Sequence, residues 1–192
     1  MASQRRQAIL DAALRAFTEK GTTAATVDDV RRLSGASVGS IYHHFGDKEG
    51  LAAALYVNRL RSYQEGFLAV LDRETEAERG VRALVRHHLR WVAANPDSAR
   101  FLLSGAPPGA AEALERLNRE LFSETASWFR RQAQAGEIRS VPRDLLYTVL
   151  VGPAQEFCRH WLAGRVQSSM RTAERVLAEA AWDALRRPEG DP

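Results

Sequence analysis

TVDDVRRLSGASVGSIYHHFGDKEGL, residues 26–51, decides how this chain folds. Thr26 precedes a run whose first turn carries Asp28 and Asp29, which is how a helix begins: a side-chain oxygen caps free amides, and carboxylates meet the positive end of the helix dipole. The run stops at Ser34 and Gly35. Ser37 then caps a second short helix ending at Gly46, and Asp47 caps a longer one. Two short capped helices across a tight turn make a helix-turn-helix unit, the second helix of which enters the DNA major groove.

Projection of the second helix at about 100° per residue sets Val38, Ile41 and Phe45 in one narrow sector. With Phe17 and Val30 they are expected to form the core of a small domain. Gly39, Ser40, His43 and His44 take the opposite side and Tyr42 the flank. That outer face combines small residues with hydrogen-bonding ones, which suits phosphates and base edges. The adjacent histidines invite a metal reading, but neighbours on a helix point about 100° apart and cannot close on one ion as an i, i+4 pair could. The same holds for His87 and His88. No metal and no cofactor is expected.

Composition agrees with a globular protein. The chain has 192 residues, 45% hydrophobic and 27% charged. No apolar run approaches the roughly 18 residues of a spanning helix, no secretory h-region stands near the start, and a cytoplasmic location without membrane association is expected. Cys158 is the single cysteine, so an internal disulfide or cysteine-based zinc site is excluded; its apolar helical setting reads as a buried, inert thiol. The net charge is +3 and lysine appears only at positions 20 and 48. Residues 1–48 carry seven basic and five acidic side chains, a bias that permits nucleic-acid binding without demanding it.

Helical periodicity continues along the rest of the chain, giving an all-α protein of about nine helices. The first, 3–20, places Ile9, Ala13, Ala16 and Phe17 on one face and stops at Gly21. After the 26–51 unit and the fourth helix to about residue 71, helices are expected over 74–95, briefly after Pro96, then over 113–135, 143–163 and 171–187. Pro107 and Pro108 interrupt the pattern, Pro153 should kink its helix, and the tail 188–192 reads as frayed. Two domains follow: a helix-turn-helix DNA-binding domain over 1–48 and a larger all-helical domain over 49–192.

The stretch RRQAILDAALRAFTEKG (5–21), followed by residues 26–51 with their Tyr-x-x-Phe-x-x-Lys spacing, resembles the TetR family of bacterial transcriptional regulators. The resemblance is close over roughly residues 4–55; beyond them only length and helix count agree. It implies that Thr26 contacts a backbone phosphate, that Ser37, Val38, Gly39 and Ser40 form the leading edge against the bases, that Tyr42, His43 and His44 touch phosphates or base edges, and that Lys48 clamps a phosphate. It further implies that the larger domain binds a small-molecule effector and forms a homodimer, with double-stranded DNA carrying a palindromic operator as the other partner.

The last two helices carry broad stripes rich in small residues. Val149, Phe157 and Trp161 on one and Leu177, Ala181 and Ala184 on the other could pack as a four-helix dimer interface, or bury against their own subunit. Pocket candidates are the aromatics Trp91, Phe101, Phe122, Trp128, Phe129 and Phe157, with His87, Thr125 and Gln155 as their few polar neighbours, favouring a largely apolar ligand. Arg79, Arg82, Arg86 and Arg90 read as a solvated, partly paired helix face. No Gly-rich phosphate loop, HExxH or nucleophile elbow supports an enzyme, and no catalytic residue is assigned. The expected function is a homodimeric repressor released from its operator by a small molecule; the alternative is a helical dimerisation protein with a vestigial DNA-binding head.

Overall fold

The structure, a computed structural model, describes residues 2–188; from residue 189 the tail expected to fray lies outside them. Nine α-helices occur among these residues: α1 (Ala2–Ala24), α2 (Val27–Ser34), α3 (Val38–Phe45), α4 (Lys48–Arg73), α5 (Ala77–Ala94), α6 (Pro96–Leu103), α7 (Ala111–Gln134), α8 (Arg143–Leu162) and α9 (Met170–Leu185). One isolated antiparallel bridge joins Ile138 to Arg186. The all-α class and the helix order follow the sequence expectation. Among the described residues no helix is long and apolar enough to cross a membrane. The chain divides into two compact units, the first reaching to Ser62 and taking in Pro96–Leu117, the second comprising Tyr63–Asn95 and Asn118 onward.

In the first unit, α1 lays Ile9, Leu10, Ala13, Ala16 and Phe17 against Val30 of α2, Ile41 of α3 and Leu51 and Leu55 of α4. Phe101 of α6 joins this core, its ring stacked 5.9 Å from Phe17 and edge-on to Tyr56 at 6.0 Å. Burial of each large aliphatic or aromatic side chain among these stabilises by about 1.5–3 kcal/mol. That shared core carries α2 and α3, which at eight residues each are too short to persist alone. Gly21 (φ 77°, ψ 153°) breaks helical geometry where the stop was expected, and one further turn runs on to Ala24. Gly35 closes α2 in the left-handed region (φ 67°, ψ 5°), a conformation open to glycine at no steric cost.

The second unit rests on α5, whose Val81, Leu84, Val85, His88, Leu89 and Val92 are buried at helical spacing. It packs on α9 and α8. Ala173, Ala178 and Ala181, buried on α9 together with Leu185, let the backbones approach closely. Ion pairs lace the rim: Arg82 reaches Glu78 and Glu179 at 2.9 Å, and Arg90 reaches Glu174 at 2.8 Å. This is the paired helix face read from the arginine spacing. Gly80 lies flat under the Trp128 indole, leaving no room for a Cβ, while Trp128 donates its indole N–H to the Glu74 carbonyl at 2.8 Å. Pro153 sits inside α8, which continues through it as one helix.

Candidate nucleic-acid interface

The approach to the interface is built around Asp29. Thr26 closes a capping box with it: the Thr26 amide and hydroxyl donate to Asp29 Oδ2 at 3.0 and 2.9 Å, and the hydroxyl accepts from the Asp29 amide at 3.1 Å. The Lys20 ammonium lies 2.6 Å from Asp29 Oδ1, and the Arg32 guanidinium bonds the same oxygen. Lys20, then the Thr26 amide and hydroxyl, hold the Asp29 carboxyl well below the usual carboxylate range. Arg31 does the same for Asp28, more weakly. The sequence reading assigns Asp29 only to the helix dipole; the Thr-x-x-Asp spacing is the signal for the full box. Thr26 is exposed, but its hydroxyl is already committed within the box.

Ser37 caps α3 by accepting from the Ser40 amide at 3.1 Å. Ile41, 1% exposed, anchors the helix, with half-buried Phe45 packed against the same core, whereas Val38 is 39% and Tyr42 47% exposed. This corrects the expectation that Val38 faces the core. Helical side chains lean toward the N-terminus, so Val38, the first residue of α3, leans past the end of the helix that buries Ile41. Ser37, Gly39 and His43 are exposed, Ser40 and His44 half-buried. A Cβ added at Gly39 would meet only open space. The His43 and His44 rings stand 5.5 Å apart and tilted by 60°. Phe45, half-buried, is covered by the Arg6 guanidinium 5.3 Å above its ring, a cation–π contact. Exposed at the start of α3 are therefore a capped N-terminus with free first-turn amides, small residues, a phenol and an imidazole.

Lys48 is placed differently from a free surface clamp. Its ammonium donates to the Thr23 carbonyl at 2.9 Å and the Ala25 carbonyl at 3.1 Å, tying the start of α4 to the turn before α2. Two of its three donors are thereby engaged.

The pocket candidates do not all meet. Phe122 and Thr125 line a cavity of about 610 Å³ walled also by Phe67, Leu121, Leu146 and Tyr147. Gln155 touches it only through Tyr147, whose hydroxyl donates to Gln155 Oε1 at 3.4 Å. His87 and Trp91 gather instead around Tyr63: His87 Nε2 bonds the Tyr63 carbonyl at 3.1 Å, and the Trp91 ring lies 5.3 Å from the Tyr63 ring. Phe101 belongs to the first unit's core. The Tyr63 hydroxyl bonds His88 Nδ1 at 3.0 Å. Burial, then the neighbouring His87, pulls His88 down to about 4, and burial pushes the Cys158 thiol up to about 12. Of the interface candidates, Val149, Phe157, Trp161, Leu177 and Ala184 stay partly exposed, but Ala181 is buried within its own chain as α9 packs on α5 and α8. Leu145 on α8 and Val176 on α9, outside the six, are half-exposed apolar side chains.

Comparison with known proteins places this geometry. The family model described as bacterial regulatory proteins, tetR family, matches residues 9–55. The HTH-type transcriptional repressor Rv1474c of Mycobacterium tuberculosis is 36% identical over 153 residues, 76% of this chain and 75% of its own. The HTH-type transcriptional repressor AcnR of Corynebacterium diphtheriae is 32% identical over 182 residues, 91% of this chain and 88% of its own. Among solved structures, a TetR family transcription regulator from Marinobacter aquaeolei shares the fold with a TM-score of 0.75 at 21% identity, covering 97% of both chains. The regulator FadR from Bacillus subtilis, solved with stearoyl-CoA, does so with a TM-score of 0.79 at 16% identity, covering 93% of this chain and 98% of that one.

Proposed function

Because the chain belongs to the TetR family of bacterial transcription regulators, we propose that this DNA-binding regulator acts as a homodimeric repressor, released from a palindromic operator by a small-molecule effector. Residues 1–48 form the reading head and 49–192 the ligand-binding and dimerisation domain. The observation that carries the reading is α3, anchored by Ile41 and Phe45 and open on its other face. Ser37, Val38, Gly39 and Ser40 approach the bases, where Val38 offers an apolar contact such as a thymine methyl accepts. Thr26, Tyr42, His43 and His44 bond phosphates or base edges, and the remaining N–H of Lys48 meets a phosphate. In a dimer two such helices would meet the two half-sites, with spacing set by their separation.

Release requires two states that differ in that separation, and an effector shifts the balance only by its differential affinity for them. The cavity lined by Phe122 and Thr125 supports an effector site, as does the complex that FadR forms with a small molecule on the same fold. The partly exposed α8 and α9 residues, with Leu145 and Val176, support the dimer.

Fluorescence anisotropy tests the reading, with a duplex from upstream of the protein's own gene against a scrambled duplex. Binding should be sequence-dependent and weaken steeply as salt rises. Tyr42→Ala should reduce operator affinity without changing the melting temperature; unchanged affinity would refute the assignment of the face. Sedimentation should give a dimer, and a monomer would remove the palindrome from the reading.

A further inference from the structure

Two hollows in the second unit share a wall. The larger is the 610 Å³ cavity; the smaller, about 200 Å³, lies further along α7 and is closed by the segment that leads into α8. Ala126, Arg143 and Leu146 line both. Their chemistry differs. Aromatic and aliphatic side chains dominate the larger, whereas the smaller brings together Arg130, Arg139 and Arg143.

These arginines differ from several others in the chain. Arg116 and Arg159 pair with Glu112 and Glu156 one helical turn away. At that spacing Arg130 has Ala126, Ser127, Ala133 and Gln134, and Arg143 has Leu146 and Tyr147 after it. Among the described residues none of the three makes an ion pair. Asp144 is the acid on these walls, so positive charge predominates. Pro142 gives α8 no side-chain cap, which leaves the positive end of a 20-residue helix beside Arg143. Independently, Thr125 is 9% exposed, lines the larger cavity, and its Oγ1 has no hydrogen-bond partner. An unmet hydroxyl inside an apolar cavity is costly unless something bonds it.

We infer that the joined hollows bind an amphipathic anion. Its apolar chain fills the space between Phe67, Leu121 and Leu150. Its carboxylate or phosphate group is held by Arg130, Arg139 and Arg143, whose guanidinium forks match either oxyanion. Thr125 bonds a polar atom along the chain. This goes beyond the effector reading above, on which it rests, by fixing the chemistry of the ligand.

Calorimetry on the free protein tests it with four probes whose tails have nine or ten carbons: decanoate, decyl phosphate, decan-1-ol and decyltrimethylammonium. The anions should bind about tenfold or more tighter than the alcohol, as charge-assisted bonds imply, and the cation weakest. Tighter decanoate assigns a carboxylate ligand, tighter decyl phosphate a phosphate. Raising salt should weaken the anions alone. Arg143→Gln and the double variant Arg130→Gln/Arg139→Gln, all at exposed positions, should abolish the preference while leaving decan-1-ol binding intact. Thr125→Val should weaken a decanoate carrying a mid-chain hydroxyl and leave unsubstituted decanoate unchanged. Equal affinity for alcohol and anions, or binding of none of the four, overturns the inference. Operator release is measured separately: anion binding without release would count against effector control and leave the site standing.

Discussion

Acidification from pH 7 to pH 5 loads one buried group of the second unit unequally in its two states. His88 is 6% exposed, bonded through Nδ1 to Tyr63, with Nε2 unpartnered. Burial holds it near 4 when folded, against about 6.5 in the unfolded chain. Between those values the unfolded state binds a proton that the folded state refuses, so stability rises with pH across the window and is lost as pH falls through it. At about 1.4 kcal/mol per pKa unit, His88 alone removes about 2 kcal/mol by pH 5 and about 3 kcal/mol by pH 4. His87, also lowered by burial, acts in the same direction. All four tryptophans, at 91, 128, 161 and 182, lie in this unit, so urea unfolding followed by their fluorescence reports it directly. His88→Gln, neutral at every pH, should lose about 2 kcal/mol less than wild type between pH 7 and pH 5. Identical pH dependence in the two proteins would refute the reasoning.

Other substitutions separate packing from contact. Ile41→Ala should destabilise by about 2–4 kcal/mol and abolish operator binding, read by thermal melting and anisotropy together. Thr26→Ala, which removes a cap, should cost about 1 kcal/mol, visible in a melt of the isolated chain without DNA. Gly80→Ala should lower the melting temperature because the Trp128 indole occupies the Cβ position, with a change in tryptophan emission as the ring moves. Lys48→Met should lower the melting temperature by freeing the Thr23 and Ala25 carbonyls, even with no DNA present, as differential scanning calorimetry would show.

Local signals were legible and distant ones were not. Thr26, Gly35, Ser37 and Gly46 mark helix ends by chemistry that acts within four residues, and each cap or stop is where the sequence puts it. The sector argument handled Ile41 and failed at Val38, since angle around a helix carries no information about where along its length the core ends. Ala181 failed for a related reason: a small-residue stripe allows close approach by a partner copy or by a helix of the same chain, and α9 packs on α5 and α8. Phe101 was grouped with the pocket as one aromatic among several, whereas α6 carries it into contact with Phe17, 84 positions earlier in the chain. Lys48 is the subtlest case. Nothing local signals that the carbonyls of residues 23 and 25 stand ready to receive its ammonium.

That double bond bears on how the head would meet a polyanion. A lysine normally surrenders about 1.5–2 kcal/mol of rotamer entropy when its stem is immobilised. In Lys48 the four-carbon stem is ordered before any DNA arrives, with its charge undiminished by a neighbouring carboxylate. A phosphate arriving at the remaining N–H would therefore meet a cation already in place, with no ion pair to break. Lysine's usual disadvantage against arginine as a fixed contact disappears at this position, and one of the two lysines in the chain stands there.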